Sequence, residues 1–149
     1  MVSTRQVSRS VVIDAPAAGI FDVLADPRRH HEIDGSGSVQ GSTFGPDRLA
    51  LGSTFGMNMR IGMRYRIVNR VVEFDDGRLI GWRHFAGHRW RYQLDPVDDE
   101  HTRVTETFDY STMSTTSART IELLGFPGRN RRGIEATLRR LSALYERTR

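Results

Sequence analysis

Glu106 is the residue around which chemistry could be built. It belongs to the run Val104, Glu106, Phe108, Tyr110, which alternates with Arg103, Thr105, Thr107 and Asp109. Alternation of this kind marks a strand with one buried face. Trp82 and His84, then Trp90, Tyr92 and Leu94, fall at the inward parity of the two preceding runs. If the hairpins turning at Ala86-Gly87 and at Asp98 set the register, Trp82, Trp90 and Glu106 align across three neighbouring strands. Tyr92 then lies beside Val104, and His84 beside His88. A carboxyl held between two indoles is desolvated, and groups with shifted pKa values favour functional sites. Two readings follow: the floor of a cavity with one polar anchor, or a core glutamate satisfied by an indole N–H or a tyrosine.

The other candidates are weaker. His84 and His88 have an H-x3-H spacing, but they straddle a turn, no third ligand is near, and cysteine is absent. Zinc needs a fuller ligand set, so no metal is expected. Either histidine could serve as general base for an enolisation or cyclisation. His30 and His31 read as surface residues of a loop. Met57, Met59 and Met63 crowd one region, where adaptable thioethers suit a pliable pocket or plain core filling. Gly35, Gly37 and Gly41 lack a following helix, so no phosphate loop and no cofactor are expected.

Composition removes whole classes of function. All 22 positive side chains of the 149 residues are arginine, since there is no lysine; Schiff-base chemistry and a P-loop lysine are excluded. Without cysteine there is no disulfide and no thiolate nucleophile. The net charge is +4, and the one arginine cluster runs from Arg129 to Arg149. It reads as a solvated helix face, or as a surface for anionic lipid or nucleic acid. Residues 1–10 are polar and hold no apolar signal core, and no apolar run approaches a membrane span, so a cytoplasmic protein is expected. The length suggests one domain over residues 1–149.

The elements that must position these side chains follow from periodicity. Ile134, Leu138, Leu141 and Tyr145 recur at helical spacing, predicting a helix over 129–147 with one apolar stripe. Glu135 stands four residues before Arg139, the favourable order for a helical ion pair. Such a helix needs a sheet to lie on. Strands are expected at 6–13, 53–60, 63–74, 79–85, 88–95 and 102–110, with residues 34–43 a loop or a weak strand. Met63, Tyr65 and Ile67 favour one parity and Val72 and Phe74 the other, which a bulge would reconcile. Asp76-Gly77 signals a two-residue hairpin turn. Asp14-Ala15-Pro16 starts a helix, with Asp14 as cap and Pro16 in its first turn. Ile20, Phe21 and Leu24 form that helix's apolar face, and Asp26-Pro27 ends it. Residues 111–117 read as loop or lid, and 118–124 as a short helix ending at Gly125.

The ordered set Val11–Pro16, Ile20–Asp26, Gly52–Phe55, Val72–Phe74, Leu79–Arg83 and Val104–Phe108 resembles the START-like, Bet v 1-like (SRPBCC) superfamily. Its polyketide cyclase/dehydrase and lipid-transport branch is the most similar. The resemblance implies an α+β helix-grip fold: a seven-stranded antiparallel sheet wrapped around a long C-terminal helix, with two short helices after the first strand and an apolar cavity between sheet and helix. It carries over no catalytic motif, and His30-His31 stands where relatives commonly have Trp or Pro.

The expected pocket draws Met57, Met59, Tyr65, Trp82, Trp90, Glu106 and Phe108 from the sheet. It takes Asn130 and Ile134 from the helix, Leu123 and Phe126 as lid residues with Leu124, and His84 and His88 as polar anchors beside Glu106. The expected role is binding or transport of a hydrophobic or amphipathic small molecule. A cyclase/aromatase-type enzyme is the second reading, and transient membrane or nucleic-acid contact through the basic helix the third. No nucleic-acid partner enters the leading reading, and the oligomeric state is open between monomer and homodimer.

Overall fold

The computed structural model describes residues 5–83 and 87–146. The order of elements is β1 (Gln6–Ile13), α1 (Ala17–Leu24), a 3-10 turn (Pro27–Arg29), α2 (His30–Ile33), β2 (Val39–Phe44), β3 (Thr54–Ile61), β4 (Met63–Asp75), β5 (Leu79–Arg83), β6 (Arg89–Pro96), β7 (Thr102–Asp109), α3 (Thr115–Leu123) and α4 (Phe126–Glu146). The seven strands form one antiparallel sheet in the order β1-β7-β6-β5-β4-β3-β2. The two strands farthest apart in the sheet, β1 and β2, are joined through α1 and α2, and α4 lies across β1 and β7. This is the helix-grip arrangement. The weak segment after residue 34 is indeed a strand, β2, with two register shifts against β3. No described helix is long and apolar enough to cross a membrane.

Alternation builds the sheet's two faces. In β1, Val7 and Val11 sit opposite Phe108 and Val104. On the other face Ser8 and Ser10 share hydroxyl hydrogen bonds with Thr107 and Thr105, at 2.6 and 2.8 Å. The parity conflict in β4 is resolved by a register shift between Val71 and Glu73. Val71 is buried opposite Trp82, and Phe74 packs edge-on against Phe21 at 5.8 Å. Glu73 thereby reaches the outer face, where Arg91 bridges it to Asp109 at 3.0 and 3.1 Å.

Several local expectations are corrected. The turn after β4 has three residues, 76–78, with Gly77 at φ 81° and the Arg78 N–H donating to the Asp75 carbonyl. Helix α1 begins two residues later than a cap at Asp14 would set it: Pro16, extended at ψ 147°, is the N-cap, and no side chain caps the helix. Helix α3 starts at Thr115, inside the stretch read as loop, because Ser114 caps it by accepting from the Ser117 N–H. Glu135 pairs with Arg9 of β1 at 3.2 Å instead of Arg139. The helix is pressed onto the sheet edge there, and the cross-element partner is nearer.

The packed core fills one end of the grip. Ile13, Ile20, Phe21, Leu24, Leu49, Ile80, Leu94 and Val104 meet Leu138 and Leu141 there, all buried. Toward the N-terminus of α4 the sheet and helix diverge, leaving a cavity. Gly35 sets one wall: a Cβ on it would overlap Ala136 and the backbone N of Thr137. Its own N–H donates to Thr137 Oγ1 at 2.8 Å.

Candidate functional site

The cavity has a volume of about 540 Å³ and lies between the concave face of β3–β7, the α2–β2 loop and the first half of α4. That volume is in the range of small-molecule sites. Of the positions expected from sequence, Met57, Met59, Tyr65, Trp82, His88, Trp90, Glu106, Phe108, Phe126, Asn130 and Ile134 border it. His84 lies outside the described residues. Leu123 does not border the cavity; it is 88% exposed. Helix α3 turns Ala118 and Ile121 inward, and a residue two positions beyond Ile121 points to the opposite side of a 3.6-residue helix.

The register around Glu106 differs from the expected one by two residues. Trp82 faces Trp90, which faces Phe108, while Glu106 faces Tyr92. The cause is the β6–β7 connection, which spans 97–101 and is centred on Asp99. Asp98 holds it by accepting from the Glu100 N–H and bonding His101 Nδ1. A shift of two preserves the face of every side chain, so the same residues look inward with new neighbours.

Glu106 is 4% exposed. Tyr92 shares a hydrogen bond with its carboxyl, and Oε1 has no partner. Its register partner on β1 is Arg9, whose guanidinium turns away to Glu135 and Ser8. Glu106 is thus left without a cation, and burial pushes its pKa from the ordinary 4.5 up to about 8. The Tyr92 hydrogen bond opposes that shift, and the negative charge of Asp34 adds to it. At neutral pH the group is a neutral carboxylic acid. Tyr92 is held well above its ordinary value, first by burial and then by Glu106.

His30 is the functional candidate that sequence reasoning missed, and its assignment to a surface loop is corrected here. It is 8% exposed. Its ring stacks on Trp82 at 4.9 Å and meets Phe55 edge-on at 5.5 Å. Nε2 lies 2.8 Å from the Leu24 carbonyl. A carbonyl only accepts, so Nε2 carries the proton and Nδ1 is an acceptor. Burial depresses the imidazole's pKa, which keeps the ring neutral. The free carbonyl near the end of α1 was the available signal, since histidine near a helix C-terminus often satisfies it. His31, by contrast, is exposed, as expected. Phe55 and Asn69 also border the cavity. Both follow from the parity of Met57, Met59, Tyr65 and Ile67, simply extended along β3 and β4. Asn69 Oδ1 is a second buried acceptor without a partner. Asp34, at the rim, spends its carboxylate on the Ser36 and Val39 N–H groups and so organises the loop.

A second aromatic group joins Trp90 to Phe108 at 4.9 Å, with His88 and Tyr110 each against Phe108. The whole is a mostly apolar chamber whose polar walls include the Glu106 acid, the imidazoles of His30 and His88, the amides of Asn69 and Asn130, and the guanidinium groups of Arg129 and Arg132. Among the described residues no three His, Asp or Glu side chains group to hold a metal.

A gripped-helix α+β protein with an internal cavity is the class that fold and site define. The model of the polyketide cyclase / dehydrase and lipid transport family matches residues 4–146, and the chain belongs to that family. An uncharacterized protein of Mycobacterium tuberculosis, Rv0088, is 46% identical over 147 residues, 97% of this chain. The chain spans 66% of that relative's own length. The crystal structure of protein Ms6760 from Mycobacterium smegmatis superposes with a TM-score of 0.71 at 18% identity, over 98% of this chain and 94% of that one. The Zhui aromatase/cyclase from Streptomyces sp. R1128 does so with a TM-score of 0.66 at 18% identity, over 97% and 96%. At such identities the likeness is one of fold.

Proposed function

We propose that this protein binds and carries a hydrophobic or amphipathic small molecule, apolar body among the aromatic side chains and polar end against Glu106. The observation that carries the reading is the cavity of about 540 Å³ bordered by Phe55, Trp82, Trp90 and Phe108, with one buried carboxyl whose Oε1 is unpaired. An unpaired buried polar atom is unfavourable, and a ligand hydroxyl or amine set against it would supply the missing bond. Asn69 Oδ1 offers a second acceptor of the same kind.

A cyclase-type enzyme acting on a hydrophobic substrate is the second reading, and one observation favours it. Glu106, with a pKa of about 8, and the neutral imidazole of His30 share one cavity. A protonated carboxyl and an imidazole nitrogen free to accept supply the donor and the acceptor that proton-transfer catalysis requires. The Zhui protein's description as an aromatase/cyclase is compatible with this reading.

The test is titration with a neutral fluorescent probe, N-phenyl-1-naphthylamine, and with long-chain alcohols and amines, following tryptophan quenching. Binding tighter than about 100 μM is expected. Trp82→Phe and Trp90→Phe should each remove part of the quenching, and the double variant nearly all of it. Glu106→Gln should weaken alcohols and amines more than plain alkyl ligands. Absence of binding below that concentration refutes the carrier reading.

A further inference from the structure

The β3–β4 hairpin and the α3–α4 corner both reach the cavity. Ile61 and Tyr65 border it on one side, Ile121 and Phe126 on the other. At these two tips the protein holds large apolar side chains in water. Ile61 is 41% and Met63 71% exposed on the hairpin, and Leu123 is 88% and Leu124 68% exposed at the corner. Single exposed apolar residues need no explanation, but four on two tips whose neighbours border the same cavity do. Folding does not require them there, since none of the four belongs to the packed core.

Arginines flank both tips. Arg60 and Arg64 bracket Ile61 and Met63 and are direct register partners, and like charges directly opposite each other on adjacent strands are unfavourable. Arg129, Arg131 and Arg132 follow the corner in the first turns of α4. Among the described residues none of these five forms a salt bridge. Arg129 lies over the Phe126 ring at 5.9 Å.

We propose that this rim seats the mouth of the cavity on an anionic lipid bilayer, with the two apolar tips in the boundary between headgroups and acyl chains and the arginines on lipid phosphates. Any polyanion would satisfy the arginines. Only an apolar phase also receives four aliphatic side chains on two separate tips, which selects a membrane over nucleic acid or an acidic protein. The proposal rests on the carrier reading in one respect, that the mouth so docked is the ligand's door.

The test is co-sedimentation of the full chain with phosphatidylcholine vesicles, with and without phosphatidylglycerol, at low and high salt. Binding is expected only to the anionic vesicles, falling as salt rises. The double variant Leu123→Asp/Leu124→Asp should partition at least about tenfold more weakly, since charged groups are poorly tolerated at the insertion depth of interfacial anchors. Met63→Asp should do the same from the other tip, and Arg60→Glu/Arg64→Glu should lower binding and its salt dependence together. Thermal midpoints are measured alongside, and the substituted leucines lie outside the cavity. Probe binding by the leucine variant should therefore equal that of the parent chain, which separates failure of docking from failure of the carrier reading. No binding to anionic vesicles, binding unchanged in both Asp variants, or equal affinity for a single-stranded oligonucleotide with no effect of the leucines would each overturn the proposal.

Discussion

Replacing Glu106 by glutamine should abolish a loss of stability that the parent chain suffers between pH 6.5 and 8.5. In the folded protein the carboxyl titrates at about 8, and its ordinary value is 4.5. Between these values the unfolded chain has released the proton and the folded chain still holds it. The unfolded state therefore binds fewer protons, and stability falls as pH rises. Each unit of displacement corresponds to about 1.4 kcal/mol, so the full window is worth on the order of 5 kcal/mol, and the part between pH 6.5 and 8.5 about 2 kcal/mol. The lower limit is chosen because His30 works in the opposite sense. Its folded pKa is depressed below 6.5, so its contribution is present above that value and lost as pH falls beneath it. At pH 6.5 the unfolded imidazole is still about half protonated and by pH 7.5 nearly neutral, so it adds only a small opposing slope of about 0.4 kcal/mol, shared by the parent chain and the glutamine variant. Guanidinium denaturation at pH 6.5, 7.5 and 8.5 reads the difference directly. The parent chain's free energy should decline by about 2 kcal/mol across the series, and Glu106→Gln, which keeps an acceptor for Tyr92 but cannot ionise, should stay nearly level. Parallel slopes in the two proteins would mean that Glu106 is ionised in the folded state, and the reading of the cavity as a chamber with a neutral acid would fall.

Leu141→Ala, which truncates a fully buried side chain, should cost about 2–5 kcal/mol. Arg139→Ala on the exposed face of the same helix should cost under about 1 kcal/mol, and equal shifts in denaturant midpoint would place the helix in another orientation. Gly35→Ala should destabilise by about 1–3 kcal/mol, because the new methyl meets Ala136 and the Thr137 backbone. An unchanged thermal midpoint would show that the α2–β2 loop is not pressed against α4.

The faces of the elements, more than their neighbours, were written in the sequence. A period of two assigned Trp82, Trp90, Glu106 and Phe108 to the concave side, and a period of 3.6 assigned Ile134, Leu138 and Leu141 to the inward stripe. Both patterns are local, because each side chain's direction follows from its own backbone. The conflict of parity in Met63–Phe74 was likewise visible, and the bulge between Val71 and Glu73 settled it. Which side chains meet was decided only by the tertiary structure. A connection centred on Asp99 instead of Asp98 moved Glu106 from Trp90 to Tyr92 without altering a single face. Arg9, opposite Glu106 in register, was drawn to Glu135 by a helix far away in sequence, and that choice left the carboxyl uncharged. His30 gave no periodic signal: its burial depends on the end of α1, Phe55 and Trp82 converging from three parts of the chain, and contacts of that range have no local code.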